Sequence, residues 1–254
     1  MIRLLGIPMT TITSVLDLLT DIVREYSIDE RDGIYGWRGR HSVIMGIIAD
    51  YKFAESESFA TLFERVVAAL NPTFDIEVRT LRELCSISTG IRRIADLRVQ
   101  NRILAKMISV APGERVPRHR LIRNLIELGQ FEQADGEIRL FSKDFREDGP
   151  VYRYRVRLAL ERARAAPGLL EEDRLVILDR ARELAATGVR RFPGYKNMLF
   201  AYCDVGIEIF KRTKSLEPFN DATKEMRSAE QLVGDPDITR QIAYYERRVT
   251  GNVG

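Results

Sequence analysis

The chain is poor in the residues that most enzyme chemistry needs. Its 254 residues include two histidines, His41 and His119, two cysteines, Cys85 and Cys203, and one tryptophan, Trp37. Two distant cysteines can neither assemble a zinc cluster alone nor build the disulfide framework of a small secreted domain. They read as small buried hydrophobes in a reducing compartment, which places the protein in the cytoplasm. No run of 18 apolar residues is present, so a helical membrane span is not expected. The start, Met1–Pro8, is too short for a signal peptide and oddly apolar for a free terminus, so a longer polypeptide or a split gene is expected upstream. The Gly-x-x-x-x-Gly-Lys-Ser/Thr phosphate loop is missing, as are Gly-x-Gly-x-x-Gly after a strand, Gly-x-Ser-x-Gly and His-Glu-x-x-His. The chain is therefore expected not to be an enzyme, and no cofactor or metal is expected. Asp75-Ile76-Glu77-Val78-Arg79 is distantly like a nuclease carboxylate cluster but has no accompanying lysine.

Charge is abundant and nearly balanced. Lys and Arg number 40 against 37 Asp and Glu, so any basic surface must be local. Apolar residues recur at helical spacing through most of the chain. Helices are expected from Thr13 to Tyr26, Arg40 to Phe53, Ser58 to Leu70 and Glu77 to Ser86, with a turn at Ser27–Gly36. From Gly90 onward helix follows helix, with Pro/Gly breaks near residues 112, 149, 167, 193 and 235. Period-two alternation occurs only at Val151–Leu158, where the helix-favouring continuation argues for helix. The expected architecture is all-α. Residues 1–88 form a helical linker or winged-helix-like part, and residues 89–254 a short right-handed array of helical hairpins.

Leu128-Gly129-Gln130-Phe131-Glu132-Gln133-Ala134-Asp135-Gly136-Glu137-Ile138 carries the clearest signal. One helix ends at Leu128, Gly129 turns the chain, and a second helix begins with Phe131, Ala134 and Ile138 on one face. This segment resembles a tetratricopeptide (TPR) hairpin. The resemblance implies a stacked scaffold that binds a protein or peptide rather than one that performs chemistry. A second stretch, Tyr35-Gly36-Trp37-Arg38-Gly39-Arg40-His41, resembles the Tyr-x-Phe-x-Arg-His element that follows the ATPase core in STAND-type signalling ATPases (the NACHT and MalT-like relatives). It departs from that pattern at Trp37-Arg38-Gly39. The resemblance implies that Arg40 and His41 open a helix. It also implies that His41, with Arg40 beside it, contacts a nucleotide phosphate, and only when an ATPase core is supplied. In that family a TPR-like sensor array often follows, an upstream or separate P-loop ATPase drives signalling, and bacterial members commonly serve phage defence or transcriptional control.

Basic clusters are the third signal. Residues 92–123 carry nine cations, among them Arg98, Arg102, Lys106, Arg118 and Arg120, against Asp96 and Glu114. Residues 152–164 interleave Tyr152 and Tyr154 with Arg153, Arg155 and Arg157, followed by Arg162 and Arg164. Arginine beside tyrosine can neutralise phosphates and stack on bases. The same residues equally suit an acidic protein partner, or a solvated face laced by ion pairs to Glu127, Glu132, Glu161, Glu171 and Glu172. His119 stands between Arg118 and Arg120, beside cations that favour its neutral form.

Overall fold

In the computed structural model, which describes residues 8–29, 31, 34–40, 44, 46–48, 51, 56–85, 90–165 and 168–251, the helix expected to stop before Gly129 does so. Gly129 takes φ +70°, a left-handed conformation that side chains disfavour, and the Gln130 N–H returns to the Leu125 carbonyl at 2.9 Å. The carbonyls at the end of one helix are thereby satisfied, and the chain can reverse at once into the next. The protein is all-α, and among the described residues one β-hairpin interrupts the helices. It packs as two compact units divided between Pro117 and Arg118.

The first unit contains α1 (Met9–Asp17), β1 (Val23–Asp29), β2 (Ile34–Gly39), α2 (Ser56–Ala68), α3 (Asp75–Leu84), a 3-10 turn (Ile91–Arg93) and α4 (Leu97–Val110). The strands pair antiparallel, with Val23 opposite Gly39 and Tyr26 opposite Gly36. This corrects the expectation of a helix through Tyr26 followed by an irregular turn. The apolar stripe of α1 runs on in sequence through Leu18, Leu19 and Ile22 and masks the strand onset. Val23, Tyr35 and Trp37 are strand-favouring residues. Further on, α2 packs against α4, burying Phe63 and Val67 on one helix and Ile103, Leu104 and Met107 on the other. Asp96 caps α4 by accepting a hydrogen bond from the Arg98 N–H at 2.7 Å. Glu77 is buried and accepts from the Asn71 N–H at 2.6 Å, so it holds the turn before α3 in place.

The second unit takes in most of α5 (Arg115–Glu127), then α6 (Phe131–Asp144), α7 (Gly149–Ala165), α8 (Glu171–Arg191), α9 (Lys196–Thr213), α10 (Glu217–Val233) and α11 (Pro236–Thr250). The alternating segment Val151–Leu158 is helical throughout. It is buried on two sides because α7 has neighbours on two sides. Each helix packs on the next from α6 onward, and α7 also packs on α9, as α9 does on α11. Contacts along the helices fix their directions. Arg162 of α7 reaches Glu132 of α6 while Arg155 reaches Ser142, so α6 and α7 are antiparallel. A Cβ at Gly149 would lie 2.8 Å from the Tyr195 ring, and Arg164 bonds Glu208, so α7 and α9 run in step and parallel. Phe200 meets Tyr245 and Asp204 approaches Arg248, which makes α9 and α11 parallel too. In this unit α7, α9 and α11 therefore form one layer, and α6, α8 and α10 return on the other side. Nearest-neighbour stacking of this kind is how a solenoid buries a continuous core. That core runs through Val156, Leu178, Ala185, Met198, Cys203, Phe219, Met226 and Ile242.

Two features lock the layers. Gly206 lets α9 touch the start of α10, because a Cβ there would fall 2.8 Å from the Pro218 carbonyl oxygen and 2.9 Å from the Phe219 Cα. Glu208, buried on α9, accepts from Arg164 Nε at 3.0 Å and from Arg212 at 3.1 Å. Arg212 in turn holds Glu171 of α8 at 2.8 Å. Desolvation pushes the Glu208 carboxyl up, but the hydrogen bonds and charge of Arg164, joined by those of Arg212, outweigh it and hold the group below the usual glutamate range.

Candidate functional site

The parallel layer leaves a cleft between its helices. On α7, Arg153, Val156, Arg157, Leu160, Glu161 and Arg164 recur at helical spacing and share one face. α9 contributes Asn197, Phe200, Ala201 and Asp204, and α11 contributes Gln241 and Tyr245. Together they line a concavity of about 280 Å³. Val156, Leu160 and Tyr245 are buried there, while Arg153, Arg157, Glu161 and Asp204 are half-buried, so the lining mixes apolar and charged groups and suits a ligand of mixed character.

The cleft is electrically polarised along its length. At one end Arg164 is engaged by Glu161 at 3.0 Å and by Glu208, and Asp204 lies 3.9 Å from Arg248. Burial pushes the Asp204 carboxyl above its ordinary value, against the opposing charges of Arg164 and Arg248. Burial likewise raises the Tyr245 hydroxyl, which donates to the Phe200 carbonyl at 3.1 Å. At the other end stand Arg153 and Arg157. The Glu127 carboxylate approaches Arg157 no closer than 3.6 Å. Among the described residues Arg153 makes no ion pair. Its Nε is buried without a hydrogen-bond partner, and its guanidinium lies over the Tyr154 ring at 5.3 Å.

The residues singled out in the sequence scatter over different surroundings. Arg98 and Lys106 are exposed on α4, and Arg102 beside them binds Glu64 at 2.5 Å and Glu57 at 2.8 Å. Arg118 is buried, pairs with Asp144 at 3.0 Å and lies over Phe145. Arg120 is half-buried. Arg155 turns away from the cleft to Glu147 and Ser142. Tyr152 and Tyr154 are each 6% exposed; one ring packs on Phe192 and the other on His119, so neither presents a face on which a base could stack. Of the set, the cleft brings together Arg153 and Arg157. The sequence reading missed Asn197, Asp204, Gln241 and Tyr245, which lack any local motif and converge only through the stacking of α7, α9 and α11. Arg40 follows β2, where its N–H donates to the Ile22 carbonyl at 2.7 Å and its Nε to the Thr20 carbonyl at 3.1 Å, closing the mouth of the hairpin. His41 lies outside the described residues. His119 approaches Asp148 at 3.1 Å, and Asp148 also accepts from the Val151 N–H at the start of α7.

Among the described residues no group of three or more His, Cys, Asp or Glu is arranged to hold a metal ion, and no helix is long and apolar enough to cross a membrane. Compared with known families, curated proteins and solved structures, the chain matches no family model, no curated protein and no solved structure.

Proposed function

We propose that the chain is a non-catalytic protein-interaction module built from TPR-like hairpins, with a peptide segment of its partner as the ligand of the cleft between α7, α9 and α11. The observation that carries this reading is the layer of parallel helices with its concavity lined by both apolar and charged side chains. The first helices of successive pairs start at residues 115, 149, 196 and 236. The first period is the 34 residues of a tetratricopeptide unit, and the longer ones of 47 and 40 fall in the range of other helical-hairpin solenoids. The burial of Cys85 and Cys203, far apart in sequence, is in keeping with a reducing, cytoplasmic setting. In this reading the module is the sensor end of a bacterial STAND-type signalling or phage-defence system, and the P-loop ATPase belongs to the same polypeptide or to a partner. Support for that placement is the order of the chain, with a small mixed unit followed by the array.

Nucleic acid is the less supported ligand. Tyr152 and Tyr154 are buried, and Arg102, Arg118, Arg155, Arg162 and Arg164 are taken up by carboxylates.

Selection of a random 12-residue peptide display library on the full chain tests the proposal. The expected outcome is a set of enriched peptides whose binding is lost in Ala201→Trp, which fills the cleft, and kept in Val176→Ala on the exposed face of α8. No enrichment, or enrichment indifferent to Ala201→Trp, overturns it.

A further inference from the structure

An arginine that is partly buried beside apolar side chains and left without an anion is costly, because desolvation is not offset by pairing. Other arginines of α7, on and off this face, have close carboxylates: Arg164 has Glu161 and Glu208, Arg162 has Glu132, and Arg155 has Glu147. Arg153 differs. Its Nε is buried and unpartnered, its guanidinium is held against the Tyr154 ring, and it lines the cleft. Arg157 stands one helical turn along the same face and forms only a loose ion pair with Glu127, at 3.6 Å, longer than a hydrogen bond. We propose that Arg153 and Arg157 form an acidic-residue subsite, and that the ligand of the cleft is an extended peptide bearing two carboxylate side chains two residues apart. This rests on the reading of the cleft as a peptide site and specifies its chemistry.

Side chains four apart on a helix emerge about 6 Å from one another, and alternate side chains of an extended peptide lie on one face about 6.5–7 Å apart. Two successive same-face carboxylates can therefore each meet one guanidinium in a charge-assisted hydrogen bond. Asn197 and Gln241, which also line the cleft, carry amides of the kind that bond an extended backbone. At the far end Glu161 and Asp204 disfavour further negative charge, while Leu160, Phe200 and Tyr245 offer apolar contact. The acidic pair is thus confined to the Arg153 end, and an apolar residue follows it.

The test uses fluorescein-labelled decapeptides of Ser and Leu with two glutamates two residues apart, the same peptide with glutamines, and an oligothymidylate of equal negative charge. Each is titrated by anisotropy into the full chain, Arg153→Gln and Lys224→Gln, the last an exposed cation on α10 outside the cleft. The glutamate peptide is expected to bind at least about tenfold more tightly than the glutamine peptide, and to lose about tenfold or more in Arg153→Gln. Lys224→Gln is expected to leave it unchanged. Arg153→Gln is further expected to melt no lower than the parent, because it removes an unpaired cation; a lowered melting point would mark a structural role instead. Equal binding of the two peptides, or indifference to Arg153→Gln, overturns the acidic subsite. If the glutamine peptide still competes with library-selected peptides, the cleft remains a peptide site and only its acidic preference falls. Tighter, Arg153-dependent binding of the oligothymidylate overturns the subsite in favour of nucleic acid.

Discussion

Replacing Gly206 by alanine would ordinarily stabilise a helix, since alanine is favoured over glycine in a helix interior by about 1 kcal/mol. Here the added methyl would sit 2.8 Å from the Pro218 carbonyl oxygen and 2.9 Å from the Phe219 Cα. Both are backbone atoms at the start of α10, so no side-chain rotation relieves the overlap, and α9 and α10 must move apart. Overpacking costs about 1–3 kcal/mol, and because the overlap here is with backbone the upper part of that range, about 2–3 kcal/mol, applies. Set against the propensity gain, the net loss is about 1–2 kcal/mol, or a fall in Tm of about 2–8 °C for a chain of this size. Gly136 is the internal control: it lies within α6, and a Cβ there meets nothing within 4 Å. Gly136→Ala should therefore raise stability by about 0.5–1 kcal/mol. Thermal and urea unfolding of both variants, followed by circular dichroism, should give shifts of opposite sign. A Gly206→Ala chain as stable as its parent would refute the close stacking of α9 on α10, and with it the layered array.

Two more predictions concern charge and burial. Glu208 has a lowered folded value, so its contribution is complete above the range where the unfolded carboxyl titrates, near 4.5, and drains away as the pH falls through its folded value. Glu208→Gln should cost about 2 kcal/mol at pH 7, and melting curves should converge with those of the parent toward pH 3; a constant gap would show that the Arg164–Glu208–Arg212 network does not act through its charge. Cys85 and Cys203 are buried, and burial pushes the Cys203 thiol up, so neither should react with a thiol reagent at pH 8 until the chain unfolds. Rapid native-state labelling of Cys203 would contradict its place in the core.

The helical array was legible because its punctuation is local. Gly129 and Gly234 end helices with φ near +65°, Asp235-Pro236 opens α11, and Ala134 and Ile138 recur on the buried face. The hairpin at Val23–Gly39 was not legible, because the α1 stripe continues into it in sequence and two short strands offer too few alternations to compete. The cleft was half legible. That Arg153 and Arg157 share a helix face follows from their spacing, and the absence of an acid four residues either side of Arg153 hints that it stays unpaired. The rest depends on partners 30 to 44 residues away, such as Glu127 for Arg157 and Glu208 for Arg164, and only the stacking of helices decides those pairings. The same stacking buries Tyr152 and Tyr154, whose alternation with arginine suggested an exposed face.

Amide hydrogen exchange on the full chain, with and without a peptide selected for binding, tests the central claim most directly. Added protection is expected in Arg153–Arg164, Asn197–Asp204 and Gln241–Arg248, with α8 and α10 unchanged. Protection confined to α8 and α10, or to the first unit, would contradict it.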